Sequence, residues 1–310
     1  MDGAPRDGGT PVENDLVLID LDQPREGYRK FLSSWLASRG DLTIVVDPGP
    51  RSTSAHLVGE LARRGVTRVD YFLLTHVHLD HGGGAAELLE AFPEARLYCH
   101  PAGVRHLVDP DQLWRGSLAV LGEVAEMYGA PNPVPADRIA SETEISARGV
   151  RALMTPGHAV HHVSYLHGET LFVGEAFGTR SPLPSGALYL RPATPPRFFL
   201  DQALASLDSL RALAVEPALT AFAHYGSMPG AFEYAEAAKK QLLLWVETAR
   251  VMKATAATRP ELDELVFARL QEIDPVYGQG RTDELAPDIR KRERHFLANS
   301  LDGILGWLEG

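Results

Sequence analysis

Residues 75–84 read Thr75-His76-Val77-His78-Leu79-Asp80-His81-Gly82-Gly83-Gly84, directly after the apolar run Val69–Leu74. The run is predicted to be a buried strand, and in extended backbone alternate side chains point the same way. His76, His78 and Asp80 are therefore expected to converge from one side as the strand ends, with His81 at the turn into the next helix. Four side chains with metal-ligand chemistry fall within six residues, and neutral imidazoles with a carboxylate suit zinc, iron or manganese. The glycines that follow permit close backbone approach beside them. A histidine-rich surface loop is the plain alternative, and the position right after a buried strand tells against it.

The surrounding chain is mixed α/β. Strands are predicted at Leu16–Leu21, Phe31–Leu36, Leu42–Val46, Arg96–Cys99, Glu142–Ile145, Val150–Met154, Val163–Leu166, Leu171–Val173 and Leu219–Ala223, the last of them. Helices are predicted at Ser54–Arg64, Ala85–Ala91 and Phe198–Leu213, with two more within Pro101–Tyr128. From Gly230 onward the period is helical throughout, at Phe232–Met252, Pro260–Ile273 and Asp288–Leu308. We therefore read a loose tail over residues 1–14, a metal-binding α/β core over 15–228 and a helical extension over 229–310. The connection Glu175–Pro196 carries five prolines and is expected to be a long, solvated loop.

Composition narrows the function classes. The chain has 310 residues, 41 acidic against 30 basic, for a net charge of -11. That balance repels phosphate backbones, so nucleic acid is not an expected partner. A single cysteine, Cys99, excludes an intrachain disulfide framework. No apolar run reaches the length of a spanning helix, and the polar, Gly- and Pro-rich start does not read as a signal peptide. A soluble, cytoplasmic protein acting on a small molecule is the expectation. Leucine-rich helical faces such as Leu242–Trp245, taken as exposed, point to a homodimer.

The segment His76–His81 resembles the HxHxDH hallmark of the metallo-β-lactamase superfamily, and further blocks follow in that family's order. Val45-Val-Asp-Pro-Gly49 is similar to its first block, Thr155-Pro-Gly-His158 to its third, Phe172-Val-Gly-Glu-Ala176 to its fourth and Ala223-His-Tyr-Gly226 to its fifth. The resemblance covers roughly residues 16–228. It implies a four-layer αβ/βα sandwich, with two mixed sheets face to face, helices outside and the C-terminal helical extension beyond. It implies two divalent metal ions, zinc first, iron or manganese as alternatives. His76, His78 and His158 would hold one, and Asp80, His81 and His224 the other. The bridging carboxylate, usually an aspartate, falls at Glu175, whose extra methylene calls for a shifted backbone. Asp47 would support the ligand loop from behind.

This site implies hydrolysis by a water activated on metal, with Asp80 as ligand and as the group that orients the nucleophile. No Gly-x-Ser-x-Gly elbow offers a protein nucleophile. Esters, thioesters or lactones are the expected substrates, because the helical extension resembles the glyoxalase II and lactonase branches. The Arg290–His295 run is similar in character to the basic helix end with which glyoxalase II enzymes grip glutathione. Tyr225, Arg180 and Tyr189 are candidate substrate-binding residues, with Arg191 and Arg197 on the same connection. His161 and His162 read as structural or surface residues, and His100 and His106 as pocket candidates only. A small-molecule phosphodiesterase or nuclease, and a non-catalytic metal-binding regulator, are the alternatives. A flavodiiron-type redox role is disfavoured, since that branch has glutamate where this chain has His78.

Overall fold

The computed structural model describes residues 15–309, and the tail predicted at 1–14 lies outside the described residues. Strands β1 (Asp15–Asp20), β2 (Ser33–Arg39), β3 (Leu42–Val46), β4 (Tyr71–Leu73) and β5 (Arg96–Tyr98) form one sheet in that order. Next come β6 (Val150–Met154), β7 (Val163–His167), β8 (Thr170–Gly174), β9 (Thr179–Arg180), β10 (Leu190–Arg191), β11 (Leu219–Phe222) and β12 (Ser227–Pro229). The second sheet runs β12-β11-β8-β7-β6, and β9 and β10 pair as a separate ribbon. Helices are α1 (Ser54–Arg63), α2 (Leu79–Gly82), α3 (Ala85–Ala91), α4 (Val104–Val108), α5 (Asp111–Leu121), α6 (Glu123–Tyr128) and α7 (Glu142–Ala147), then α8 (Leu200–Arg211), α9 (Phe232–Lys253), α10 (Arg259–Ile273) and α11 (Pro287–Glu309).

Period-2 alternation sorts the side chains into layers. In β3, Leu42, Ile44 and Val46 face the second sheet, where Tyr165, Phe172 and Ala221 meet them. Val45, on the opposite face, packs with Leu57 and Leu61 of α1 and Leu88 of α3. In the second sheet Leu171, Val173 and Phe222 turn outward onto Leu207 and Leu210 of α8 and Tyr234 of α9. The result is the expected four-layer αβ/βα sandwich. The C-terminal helices build a further cluster in which Trp245, Val266, Leu270, Leu301 and Ile304 pack with Tyr189.

Several sequence expectations are corrected. Glu142–Ile145 is not a strand but the start of α7. Ser141 accepts the Glu144 amide, and Glu144 accepts the Ser141 amide in return, a capping box that outweighs the short apolar alternation. Pro101–Tyr128 holds three α-helices rather than two. Strand β11 is not the last, because β12 folds back antiparallel on it. The Glu175–Pro196 connection is not a solvated loop: its Arg180 and Arg191 are buried. Leu242 and Trp245, read as an exposed face for association, are 5% and 1% exposed, and only the neighbouring Leu243 stays open to solvent.

Strand direction decides where the site lies. β3, β4 and β5 run parallel, as do β8 and β11, and β6 points the same way as β8 because β7 is antiparallel to both. The carboxyl ends of β3, β4, β6, β8 and β11 therefore deliver Asp47, the His76–His81 segment, His158, Glu175 and His224 to one edge of the sandwich. The sheets are tied there by Val163 N–H donating to Thr75 O (2.7 Å), Tyr165 Oη to Leu74 O (2.6 Å) and Trp35 Nε1 to Phe222 O (2.8 Å).

Candidate metal centre

The strand carrying the histidine motif ends at Leu73, earlier than the sequence predicts. His78 is extended, at φ -61° and ψ 155°, and caps α2, so the backbone turns helical at Leu79. Asp80 is thereby taken out of the alternation. It does not join His76 and His78, as strand geometry predicts, but faces His81 and His224.

Two groups of potential ligand atoms result: His76, His78, His158 and Glu175 in one, and Asp80, His81 and His224 in the other. In the first, His158 Nε2 lies 3.2 Å from His76 Nε2 and 3.1 Å from His78 Nδ1. In the second, Asp80 Oδ2 lies 3.4 Å from His81 Nε2 and 3.8 Å from His224 Nε2. Glu175 reaches across both. Its Oε2 is 2.9 Å from His158 Nε2, 3.2 Å from His76 Nε2 and 3.6 Å from His81 Nε2, and its Oε1 is 3.2 Å from His224 Nε2.

Three converging imidazole nitrogens repel through their lone pairs unless a proton or a cation lies between them. Tetrahedral zinc, with Zn–N near 2.0–2.1 Å, needs N···N edges of about 3.3–3.4 Å, close to the separations observed. His81 Nε2 is buried and has no hydrogen-bond partner among the described residues, as a nitrogen reserved for a metal would be. The donor set fits divalent cations.

Without a cation between them the ligand histidines divide: His76 and His78 favour the neutral form, whereas neighbouring carboxylates favour the protonated form of His81 and His158. Burial and its histidine neighbours push His76 well below the ordinary imidazole range, and burial with His158 pushes His78 to about 3. Both are neutral, as ligands must be. Burial opposes charge on Glu175 and Asp80, but His158 and His224 hold Glu175 well below the carboxylate range, and His81 brings Asp80 to about 2. Burial also opposes charge on His81, where Asp80 and Asp47 prevail and raise its pKa well above the usual value.

Three of the outer nitrogens are anchored, whereas His224 Nδ1 is buried with no hydrogen-bond partner among the described residues. His158 Nδ1 lies 3.0 Å from Ala193 O, His76 Nδ1 lies 3.1 Å from Thr75 Oγ1, and His81 Nδ1 lies 3.2 Å from Asp47 Oδ2. Such contacts set ring orientation and tautomer. Asp47 sits at φ 53° and also accepts the Thr75 amide and hydroxyl, each at 2.8 Å. It therefore ties the first strand block to the histidine loop, which is more than a turn residue does.

Of the substrate-binding candidates, Tyr225 follows His224 at φ 62°, but its hydroxyl donates to Asp20 Oδ2 at 2.9 Å. Arg180 donates to Tyr225 O at 2.7 Å and is largely buried. Tyr189 is fully buried, with its hydroxyl on Glu293, so it presents no group to a substrate. The basic run is not a free anion grip either: Arg290 bonds to Asp283 O, Arg294 pairs with Glu264, and buried Arg292 bonds to Gly27 O, Ser181 and Glu293.

Sequence reasoning missed the role of Thr75, and it missed Phe31, whose ring centroid lies 4.6 Å from that of His224 and 4.0 Å from the Arg292 guanidinium carbon. No local pattern marks Phe31, because its partners come from distant segments.

The sequence model of the metallo-beta-lactamase superfamily matches residues 28–224. A hydroxyacylglutathione hydrolase of Cupriavidus taiwanensis is 30% identical over 247 residues, covering 78% of this chain and 80% of that protein. A metallo-beta-lactamase fold-containing protein of Sulfurisphaera tokodaii is 28% identical over 194 residues, covering 60% of this chain and 69% of that one. Among solved structures, an archaeal metallo-beta-lactamase superfamily protein from Sulfolobus tokodaii superposes with a TM-score of 0.63 at 21% identity, covering 95% of this chain and 98% of that one.

Proposed function

The chain belongs to the metallo-beta-lactamase superfamily, and on that premise we propose that it is a two-metal hydrolase of acyl thioesters or related esters and lactones. The carrying observation is Glu175, whose two carboxylate oxygens lie within 3.6 Å of imidazoles in both ligand groups. His76, His78 and His158 would hold one ion and Asp80, His81 and His224 the other, with Glu175 within reach of both. Divalent ions supply an acidified water and polarise an acyl oxygen when bound. Zinc is the first choice for this donor set.

The protein's own groups do the rest. Asp80 lies at the rim of the centre and keeps a carboxylate oxygen for a water proton, which orients the nucleophile. Asp47 and Ala193 O hold His81 and His158 in one orientation. Buried Phe31 packs an apolar ring against His224. The thioester class is supported by the relative named as a hydroxyacylglutathione hydrolase, since an acyl group on glutathione sulfur is a thioester. Among the described residues no helix is long and apolar enough to cross a membrane, which agrees with a small-molecule substrate met in water.

The test is metal analysis of protein purified without chelator, together with a panel of thioester, lactone, aryl ester and phosphodiester substrates. Two ions per chain and chelator-sensitive thioester turnover are expected. One ion or fewer, or turnover of none of these substrates, would overturn the proposal.

A further inference from the structure

We propose that His162, a buried imidazole beside the five histidines of the ligand groups, is not a ligand but a positioning residue that seats Glu175. This inference rests on the metal-centre reading above. His162 is fully buried, and its ring centroid lies 5.3 Å from that of His76 and 6.1 Å from that of His158. It nevertheless belongs to neither ligand group, because both of its nitrogens are engaged elsewhere. The Glu175 amide donates to His162 Nε2 at 3.0 Å. An amide can only donate, so Nε2 carries no proton and Nδ1 does. Nδ1 lies 2.8 Å from Thr155 Oγ1. Thr155 Oγ1 lies 3.0 Å from Ser164 Oγ, which donates to Val173 O at 3.2 Å. The bonds close a ring around the end of β8, two residues before and at Glu175.

Gly174 shows how tightly that strand end rests on the imidazole. Its φ is 59°, and a Cβ added there would run into His162 Nε2 and lie 2.8 Å from Thr75 Cβ. Only glycine lets the chain turn left-handed so close to the ring. The seat thus fixes where the Glu175 side chain begins. A glutamate starting from that fixed point has the length to meet both ligand groups.

The test compares two substitutions with opposite chemistry. His162→Gln places an amide oxygen near the former Nε2 and can still accept the Glu175 amide. His162→Asn reaches only as far as Nδ1, so it keeps the Thr155 contact and leaves that amide unpaired. Apo protein of each variant with a wild-type far-ultraviolet dichroism spectrum is titrated with cobalt(II), reading stoichiometry, affinity and the visible absorption bands. Gln is expected to bind two ions like wild type. Asn is expected to lose roughly 10- to 100-fold in affinity for one ion, the usual effect of removing a support behind a ligand, with altered bands. Gly174→Ala, which disturbs the seat from the other side, should give the same signature. If Asn binds both ions as tightly as wild type, or if Gln and Asn lose metal equally, the seat is overturned while the hydrolase reading stands. If wild-type protein takes up no ion, both fall.

Discussion

One methylene separates Glu175 from the aspartate usual at this point, and it decides how the two ligand groups are joined. Glu175→Asp withdraws the carboxylate by about 1.5 Å, one carbon–carbon bond, from contacts that now span 2.9–3.6 Å. The seated backbone cannot follow, so the variant should bind one ion at wild-type affinity and the second more weakly by about 10-fold or more, as a competitive chelator titration would show. Two ions held as tightly as in wild type would refute the bridge. Asp80→Asn keeps the shape but loses the charge that accepts a proton. Turnover should fall about 100-fold or more, and near-normal rates at full metal content would remove Asp80 from the mechanism. The sequence made these residues legible unevenly. His76–His81 stands out alone because four ligands crowd into one short segment. His158, Glu175 and His224 are ordinary residues until the ordered blocks around them are compared with a family. Thr75 and Phe31 leave no trace, and His162 reads only as a structural or surface residue, because each works through a partner that only the fold brings close, such as Phe31 against His224 across 193 positions of chain. Asp80 shows the opposite failure: strand periodicity put it with His76 and His78, but the chain had already left strand geometry.

At the scale of elements, helix α11 is joined to the metal edge by two features that helical periodicity does not disclose. The first is Gly303, where an added Cβ would run into the backbone oxygens of Thr194 and Pro195. Those residues adjoin Ala193, whose carbonyl holds His158. Gly303→Ala should therefore cost about 1–3 kcal/mol of stability through overpacking and also weaken metal binding. A lowered denaturant midpoint with unchanged metal affinity would show that the helix docks without supporting the site. The second is Glu293, buried between Arg191 at 3.0 Å and Arg292 at 2.8 Å. Burial would raise its pKa, but the two arginines prevail and lower it to about 2 from 4.5. A lowered carboxylate pKa stabilises the fold fully above pH 4.5 and loses that contribution as pH falls through about 2. Glu293→Gln should flatten the acid limb of the stability curve between these values, while leaving two buried guanidinium groups without their carboxylate and the protein less stable at neutral pH. An unchanged acid limb would place the acid sensitivity elsewhere. The amphipathic period of α11 was legible, yet its basic run was not: read as a solvent-facing grip, it includes a buried arginine packed on Phe31.

For the molecule as a whole, the centre is a joint between two sheets. His76, His78, Asp80 and His81 follow β4 of the first sheet, whereas His158, Glu175 and His224 follow β6, β8 and β11 of the second. Ions held by both sets would bind the native arrangement and not the unfolded chain, and would therefore stabilise it by mass action, about 2.7 kcal/mol at a free concentration 100 times Kd. Their removal should not dissolve the fold. The four apolar clusters and the direct bonds from Thr75, Leu74 and Phe222 to the opposite sheet need no metal. What removal does leave is a set of crowded imidazole nitrogens and the carboxylates of Glu175 and Asp80 with nothing between them. Chelation should therefore lower the melting temperature by several degrees at unchanged helical dichroism, and added zinc should restore it in a concentration-dependent way. A melting temperature indifferent to verified metal removal would mean that the two sheets are held by packing alone and that the ligand groups do not share a load-carrying ion.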